Sequence, residues 1–459
     1  VRQSVGGAPM RAVVDFDVNG SLAASHDGHG TDMGFVCGML GKEITEPDVD
    51  RYARLAEEAG VEIEFRILDY GAEHPNNYRI EVWGRGGEHH LWEGVSVGGG
   101  MIEMRRYDGF DISLCGDFYE VLVKFPHGGA AAMKSSRAVA DSAPDFAQAL
   151  EGGGGSLLSL KYSKAPEPEA LRVAAAEHGA LDFVLIAPML PTLSRANCAV
   201  PFSTAGEMLA YNEGRGLAMW ELAAEYEAAR GGTAKEDVLE KMRGLVSIME
   251  GALKEGLAGT EYADRILGPQ AYLIEAACKE GALIPCDILN NVIKSVTAIM
   301  ETKSAMGVVV AAPTAGSCGI IPGMLFAWEF FCGEGRDTEA LLVDALITAG
   351  AVGEVTAFRA TLAGADGGCQ AECGAAAAMG SAALAFLQGG TPAMSAHAAA
   401  MTFKSVLGLA CDPVGGLVEC PCIKRNGILV ANGTLCADMA LAGIESVIPL
   451  DEVIDSMGQ

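Results

Sequence analysis

The sequence has few aromatic residues and little positive charge. Aromatic side chains make up 6% of its 459 residues, whereas glycine occurs 59 times and alanine is also abundant. Helices approach one another closely where side chains are small, so this composition favours tightly packed helices. Lys and Arg number 32 against 60 acidic residues, which gives a formal net charge of −28. Such a chain repels a phosphate backbone, which argues against nucleic-acid binding.

The sequence also lacks signals for export or membrane insertion. Residues 1–11 contain no apolar segment of the kind that a signal peptide needs. Two uncharged stretches, 304–328 and 373–403, are long enough to span a bilayer, but proline and glycine residues interrupt both. Both are richer in Ala and Gly than in Leu or Ile. We therefore expect buried core segments, no membrane partner and a cytoplasmic location.

Cysteine, in contrast, is plentiful. The chain has 13 cysteines, an odd number, and without an export signal a disulfide framework is not expected. Eight of them lie at or after Cys318. This enrichment indicates reduced thiols, some of which are candidate metal ligands.

The first third of the sequence predicts an α+β domain. Val14, Phe16 and Val18 alternate with aspartates, which is typical of a strand with one solvated face. Further strands are predicted at 61–67, 78–83, 91–97, 119–125 and 157–162, and helices at 48–59 and around 143–150. We place this domain at 1–165, with a small βαβ-like segment at about 117–163. A linker is predicted over 166–200.

From about residue 200 the apolar period becomes that of helices. Thr233–Glu236 has the spacing of a capping box and opens a helix with one apolar face. More helices follow, separated by Gly-rich breaks. The prediction is an all-α domain over 201–459.

Three cysteines of this second domain lie within two residues of Gly or Pro, on predicted turns: Cys369, Cys411 and Cys422. Turns direct backbone N–H groups at sulfur and thereby stabilise thiolates that hold a cluster. Their spacing matches neither a zinc site nor a compact ferredoxin motif. Cys373 and Cys420 are close competitors, and the spacing does not select among the five. Ordinary buried thiols are the alternative.

Two other features suggest a binding site. The loop at 313–319 consists of small residues whose hydroxyl and N–H groups can cradle a carboxylate, although a close-packed helix junction would look similar. Seven of the eight histidines precede residue 180, and His29 and His74 lie on predicted turns. A loop histidine can act as a general base, or it can simply be exposed.

Together these segments resemble the iron–sulfur L-serine dehydratases of bacteria, also called L-serine ammonia-lyases. In the first domain the resemblance lies at 20–24, 28–32, 74–76 and 96–100, and in the second at 306–317, 367–372 and 411–426. It implies one chain in which a serine dehydratase β-like domain is fused to an α-like catalytic domain. It also implies a [4Fe–4S] cluster held by Cys369, Cys411 and Cys422, without pyridoxal phosphate.

The resemblance further implies the reaction and the roles of several residues. An iron without a protein ligand would bind the serine hydroxyl as a Lewis acid, and β-elimination would yield pyruvate and ammonia. His29 would remove the Cα proton. The implied substrate-binding residues are Thr314, Ala315, Gly316 and Ser317 at the carboxylate, with Ser96, His74 and Asn76 in a first-domain pocket for substrate or a regulatory serine. L-serine is the expected partner, and we expect a homodimer.

Several alternatives stay open. The same cluster could act on L-threonine or L-cysteine, because contacts to a methyl group or a sulfur atom are worth only about 1–3 kcal/mol. A non-catalytic iron–sulfur sensor is another. A pyridoxal-phosphate enzyme would need a Schiff-base lysine, and none of Lys303, Lys404 and Lys424 lies in a recognisable motif for that cofactor.

The sequence departs from the family in two places. Members usually carry Ser-Ser-Ser-His-Thr before a Gly-Pro-Met element, whereas Gln3–Ala8 precedes Pro9 and Met10 here. Relatives also continue beyond the segment that follows Asp451. These departures predict either a shortened chain or a divergent member with an altered substrate.

Overall fold

The computed structural model describes residues 1–46, 48–152, 154–190, 198–262 and 265–458. The chain divides into two compact units, and each is described by itself. The N-terminal unit comprises Val1–Val97 and Met101–Cys198, and the C-terminal unit comprises Gly98–Gly100 and Ala199–Gln459. An α/β region is thus followed by a helical region, which confirms the predicted fold class at this level.

The N-terminal unit contains a six-stranded mixed sheet. Its strands are β1 (Arg11–Asp17), β2 (Glu62–Leu68), β3 (Asn77–Trp83), β4 (His89–Gly98), β5 (Met101–Tyr107) and β6 (Phe110–Leu114). Their order is β2-β1-β3-β4-β5-β6, and β1 pairs parallel with β2 and antiparallel with β3. Three helices connect β1 to β2: α1 (Leu22–Ser25), α2 (Thr31–Leu40) and α3 (Tyr52–Ala59).

The prediction that β1 has one solvated face was wrong. Val14 and Phe16 are fully buried, as the alternation predicts, but Asp15 and Asp17 are buried as well. Asp15 forms ion pairs with Arg66 and Arg79. Asp17 accepts backbone hydrogen bonds from the loop that follows β2. Buried carboxylates are tolerated because these donors replace water.

The second sheet of the N-terminal unit is small and antiparallel. Its chain order is β7 (Tyr119–Phe125), α4 (Gly129–Lys134), α5 (Arg137–Ser142), β8 (Phe146–Gly152), β9 (Gly155–Tyr162), α6 (Pro168–Glu177) and β10 (Asp182–Ile186). The strand order is β10-β7-β9-β8, with antiparallel neighbours throughout. This is the ferredoxin-like arrangement of two interleaved split β-α-β units.

Two sequence predictions fail in this second sheet. The helix predicted around 143–150 is instead strand β8, because pairing with β9 along its whole length overrides local helix propensity. The linker predicted over 166–200 is wrong for 168–186, since α6 and β10 lie there and β10 completes the sheet beside β7. The βαβ-like segment is therefore a larger βαββαβ unit.

The C-terminal unit is built from helices. They are α7 (Ala205–Tyr211), α8 (Met219–Gly231), α9 (Lys235–Ala258), α10 (Ala271–Lys279), α11 (Asp287–Ser304), α12 (Ile320–Cys332), α13 (Thr338–Arg359), α14 (Gly364–Gly367), α15 (Ala375–Leu387), α16 (Pro392–Lys404), α17 (Cys420–Leu441) and α18 (Leu450–Met457). Helix α15 is the centre of the core, and nearly all its residues are buried. It packs against α13, α16 and α17.

Small residues allow these helices to approach closely. A Cβ atom at Gly256 of α9 would lie 2.0 Å from the carbonyl oxygen of Ala298 in α11, so only glycine fits there. Two helical segments, Ala315–Cys332 and Thr338–Arg359, are long and apolar enough to cross a membrane, and in each the most apolar window of 18 residues is 67% buried inside the fold. Core helices of globular domains have the same properties.

Candidate active site

Cys369 lies on a tight turn between α14 and α15. Gly368 precedes it with φ of 74°, and a Cβ atom at Gly368 would come within 2.7 Å of the Leu409 carbonyl oxygen. A π-helical turn, Gln370–Gly374, then leads into α15. Such turns often occur at functional sites, because they reorient side chains within an otherwise regular helix.

The other two predicted ligands approach this turn from separate segments. Cys411 lies in the loop after α16, and Cys422 lies in the first turn of α17. Gln370 fastens the loop to the turn: its backbone N–H donates to the Leu409 carbonyl at 3.1 Å, and its side-chain oxygen accepts from Gly408 N–H at 2.8 Å. Cys369 and Cys422 are buried, whereas Cys411 is exposed.

The charge of Cys369 acts on the other two thiols. A hydrogen bond from Cys373 and the nearby charge of Arg425 lower the pKa of Cys369 to about 7, against the effect of burial. Partial shielding of the Cys411 sulfur, although the residue is exposed as a whole, raises its pKa to about 11, and burial raises that of Cys422 to about 12. The charge of Cys369 contributes to both shifts. The predicted ligands thus lie in one neighbourhood, where negative charge on one sulfur opposes ionisation of the others.

In the described part of the chain, no three His, Cys, Asp or Glu side chains are placed to hold one metal ion.

The competing cysteines have different surroundings. Cys373 is buried and hydrogen-bonded to Cys369, which raises its pKa well above the usual range and makes it a thiol donor. Its sulfur also lies 3.6 Å from the Asn426 side-chain nitrogen. Cys420 is the first residue of α17. Cys318 lies 3.7 Å from the Met300 sulfur, and burial raises its pKa to about 12.

Arg425 connects two of the predicted ligand segments. Its guanidinium forms a two-point ion pair with Asp412, with one nitrogen–oxygen distance of 3.0 Å, and donates to the Ala410 carbonyl at 3.1 Å. It also hydrogen-bonds the Cys369 side chain. The planar guanidinium of Arg425 therefore holds the loop that carries Cys411 next to Cys369. Arg425 lies within the 411–426 motif, but the sequence alone predicts no role for it.

The small-residue loop lies at the start of α12. Residues 315–317 form a 3₁₀ turn, in which the Thr314 and Ser317 hydroxyls are 3.1 Å apart. Thr314 and Ser317 are buried, whereas Ala315 is exposed. The Asn426 side-chain nitrogen donates to the Gly316 carbonyl at 2.9 Å and to the Cys422 carbonyl at 2.8 Å. Asn426 thereby joins this loop to the cysteine site.

Two charged residues accompany the loop, and sequence analysis did not identify either as a site residue. Glu372 hydrogen-bonds the Thr314 side chain, and burial raises its pKa. Lys303, in the last turn of α11, donates from Nζ to the Val418 carbonyl at 3.2 Å. Only their place near the motifs could have indicated them, because Lys and Glu are ordinary surface residues in most sequences.

In the N-terminal unit, three of the predicted residues lie close together. Asn76 N–H donates to the His74 Nδ1 at 3.1 Å, and Ser96 N–H donates to the Asn76 carbonyl at 2.9 Å. The Asn76 side chain also contacts the Ser21 hydroxyl. His29 lies apart from this group in sequence, on an exposed turn before α2. Its backbone N–H donates to the Ser25 carbonyl at 2.9 Å.

Comparison with known proteins identifies the family. A sequence profile of the serine dehydratase alpha chain family matches residues 214–459, more than half of the chain. The chain belongs to this family. The match confirms the family predicted from the sequence motifs, and it lies within the C-terminal unit.

Individual relatives agree with this result. The chain is 44% identical over 223 residues to a probable L-serine dehydratase alpha chain of Bacillus subtilis strain 168, covering 49% of this chain and 73% of the relative. The L-serine dehydratase alpha chain of Peptoniphilus asaccharolyticus is 37% identical over 258 residues, covering 56% and 87%. L-serine dehydratase 1 of Escherichia coli K12 is 34% identical over 270 residues, and the match covers 56% of this chain and 57% of the relative.

Proposed function

We propose that this chain is an iron–sulfur L-serine dehydratase, a lyase that converts L-serine to pyruvate and ammonia. Membership of the serine dehydratase alpha chain family supports the reaction class. The observation that carries the iron–sulfur assignment is that three separate segments bring Cys369, Cys411 and Cys422 into one neighbourhood, where the charge of Cys369 raises the pKa of the other two.

The cysteine site fits a [4Fe–4S] cluster chemically. Cys369, whose pKa is about 7, is readily available as a thiolate, and Arg425 supplies positive charge beside it. Cys369, Cys411 and Cys422 would hold the cluster. When bound, a cluster with three protein ligands supplies a Lewis-acidic iron for the hydroxyl group that leaves.

The 314–317 loop would bind the substrate carboxylate. Thr314 and Ser317 contribute hydroxyl groups, and the 3₁₀ turn with its exposed Ala315 provides backbone N–H groups at the start of α12. Helix N-termini and small-residue turns attract anions in this way. Asn426 would keep this loop in register with Cys422.

His29 would act as the general base that removes the Cα proton of serine. Loss of that proton and departure of the β-hydroxyl as water give aminoacrylate, which tautomerises and hydrolyses to pyruvate and ammonia. The location of His29 on an exposed turn is compatible with this role, because a base must reach the substrate. Ser96, His74 and Asn76 would line the pocket of the N-terminal unit, which we propose is the family's β-like domain.

The experiment is anaerobic reconstitution with iron and sulfide, followed by measurement of pyruvate after L-serine is added. Cys369→Ala, Cys411→Ala and Cys422→Ala are each expected to lose bound iron and activity. Cys436→Ala is the matched control, since Cys436 is another buried cysteine of α17. A wild-type protein that binds the cluster but produces no pyruvate would refute L-serine as substrate. L-threonine and L-cysteine would then be tested with the same assay.

A further inference from the structure

Beside the 314–317 loop, the C-terminal unit contains two opposite charges that the mechanism above does not use. Lys303 and Glu372 are both largely buried, yet neither is sealed from solvent. Their charges act on each other, because Glu372 favours the charged form of Lys303 and the reverse also holds. Within the described residues, however, the two side chains do not form an ion pair with each other.

The surroundings of Lys303 leave its charge poorly compensated. Its ammonium donates to the Val418 carbonyl at 3.2 Å, a neutral acceptor. Burial lowers the pKa of Lys303, and the nearby Cys318 and Cys422 thiols and the Glu419 and Glu372 carboxylates oppose that shift only in part. A buried ammonium is stable when it faces an anion, and the structure places it beside the loop that is suited to a carboxylate.

Glu372 is in the complementary situation. Its carboxylate accepts a hydrogen bond from the Thr314 side chain, and burial still raises its pKa. It lies close to the loop, since a Cβ atom at Gly316 would be 3.9 Å from a Glu372 oxygen and 3.1 Å from Val418 Cγ1. The Val418 carbonyl is the acceptor of Lys303. Gly316 therefore lies close to Glu372 and to Val418, the residue whose carbonyl accepts the hydrogen bond from Lys303.

An α-amino acid carries both complementary charges on one carbon atom. Because Lys303 and Glu372 are near enough to interact but do not pair, a zwitterion between them would compensate both charges. We propose that Lys303 binds the α-carboxylate and Glu372 binds the α-ammonium of the amino-acid substrate beside the 314–317 loop. This assignment rests on the proposed function for the class of ligand, and it makes these two residues the determinants of zwitterion recognition.

The test uses ligands that cannot react because they lack a leaving group. L-alanine has both charges, propionate lacks the ammonium, and L-alaninamide lacks the carboxylate. Their dissociation constants are measured as competitive inhibitors of L-serine turnover, and by calorimetry on the same anaerobic protein. The wild type is expected to bind L-alanine at least about tenfold more tightly than either analogue, because each analogue lacks one charge-assisted hydrogen bond.

Each substitution should remove the binding preference for L-alanine over one analogue and keep the preference over the other. Glu372→Gln is expected to abolish the preference for L-alanine over propionate while retaining that over L-alaninamide. Lys303→Met should do the opposite. Lys303→Arg and Glu372→Asp keep the charge but move it, so intermediate preferences are expected, and they carry the test if a neutral variant does not fold.

Matched controls separate recognition from folding. Lys404→Met removes a lysine that also donates to a backbone carbonyl, that of Ser446 at 2.6 Å. Asp344→Asn removes a carboxylate whose pKa burial raises to about 6. Both control variants should keep the wild-type preferences.

The outcomes also distinguish this inference from the proposed function. Pyruvate from L-serine together with unchanged preferences in the Glu372 and Lys303 variants would overturn the assignment and leave the function intact. A wild type that does not prefer L-alanine would overturn it as well. The expected preferences without any pyruvate would support the assignment and refute the serine dehydratase reaction.

Discussion

Cys373 and Cys369 are joined by a hydrogen bond that shifts their pKa values in opposite directions. The pKa of Cys369 is lowered to about 7, whereas that of Cys373 is raised well above the usual range. One thiol therefore donates to the other, and the acceptor is the sulfur that is easier to ionise. Two neighbouring cysteines that look equivalent in sequence thus differ, with Cys369 as the more acidic thiol, which we propose as a ligand, and Cys373 as its hydrogen-bond donor.

Substitution of Cys373 tests this relationship. In the metal-free protein, Cys373→Ala removes the donor, so the pKa of Cys369 should rise from about 7 toward the ordinary thiol value of about 8.5. The measurement is the pH dependence of alkylation at Cys369, followed by mass spectrometry of the peptide. Cys436→Ala serves as the control and should leave the midpoint unchanged. An unchanged midpoint in Cys373→Ala would mean that Arg425 alone sets the pKa.

Arg425 is expected to determine how firmly a cluster is retained. Arg425→Met breaks the contacts to Cys369, Asp412 and the Ala410 carbonyl. Loss of such supporting interactions typically weakens metal binding roughly ten- to hundredfold. The rate of iron release to a chelator, measured anaerobically, gives this value. Arg425→Lys keeps the charge without the two-point geometry, so it should retain only part of the effect. Equal release rates in all three proteins would exclude a supporting role.

Close helix packing predicts opposite effects for two glycines of α9. Gly256→Ala should destabilise the protein by about 1–3 kcal/mol, because the added Cβ meets the backbone of Ala298. Gly251→Ala has open space around it and should stabilise the helix by roughly 0.5–1 kcal/mol. Thermal and chemical unfolding of the two variants measure the difference. Similar stabilities would indicate that α9 and α11 are farther apart than described.

A buried carboxylate of β7 predicts a pH-dependent stability. Burial raises the pKa of Glu120 from 4.5 to about 7, and Lys161 at 3.2 Å offsets this only in part. The folded state therefore holds a proton that the unfolded state releases, and Glu120 reduces stability as pH rises from about 4.5 to 7.

Glu120→Gln should remove that pH-dependent loss. At pH 8 we expect the variant to exceed the wild type in free energy of unfolding by on the order of 1–3 kcal/mol. At pH 4 the two should be similar. Urea unfolding at both pH values is the measurement, and Glu151→Gln, at an exposed position of β8, is the control. A variant that is less stable at pH 8 would show that the Lys161 ion pair outweighs the cost of burial.

The sequence predicts the elements that have a clear period, and less of what depends on tertiary pairing. Residues 119–125 were placed as a strand with the observed bounds of β7. The helix predicted around 143–150 is wrong, because nothing in the local sequence distinguishes an edge strand from a short helix. The alternation in β1 predicts that Asp15 is exposed to solvent. The arginines that allow its burial, Arg66 and Arg79, lie on other strands, so the local sequence does not reveal them.

The candidate site shows the same division. Glycine and proline predict turns at Cys369, Cys411 and Cys422, although Cys422 lies within the first turn of helix α17. Motif resemblance selects these three from the five candidates. Their placement as ligands stays a prediction. The position of Glu372 beside the 314–317 loop depends on contacts between distant segments, and no local pattern contains that information. The relation of Lys303 to Val418 is of the same kind.

Gln370 holds two distant segments of the chain together at the cysteine site. This single side chain reaches both Gly408 and the Met457 carbonyl, so the segment before Cys411 and the end of α18 meet at the residue next to Cys369. Both contacts join protein groups, so they form as the chain folds and hold the segment of Cys411 beside Cys369. The conformational entropy of placing these segments is therefore lost on folding. Under the proposed function, the segments that carry two of the cluster ligands would stay together when iron and sulfide leave, and restoring the cluster would require metal and sulfide but no new polypeptide.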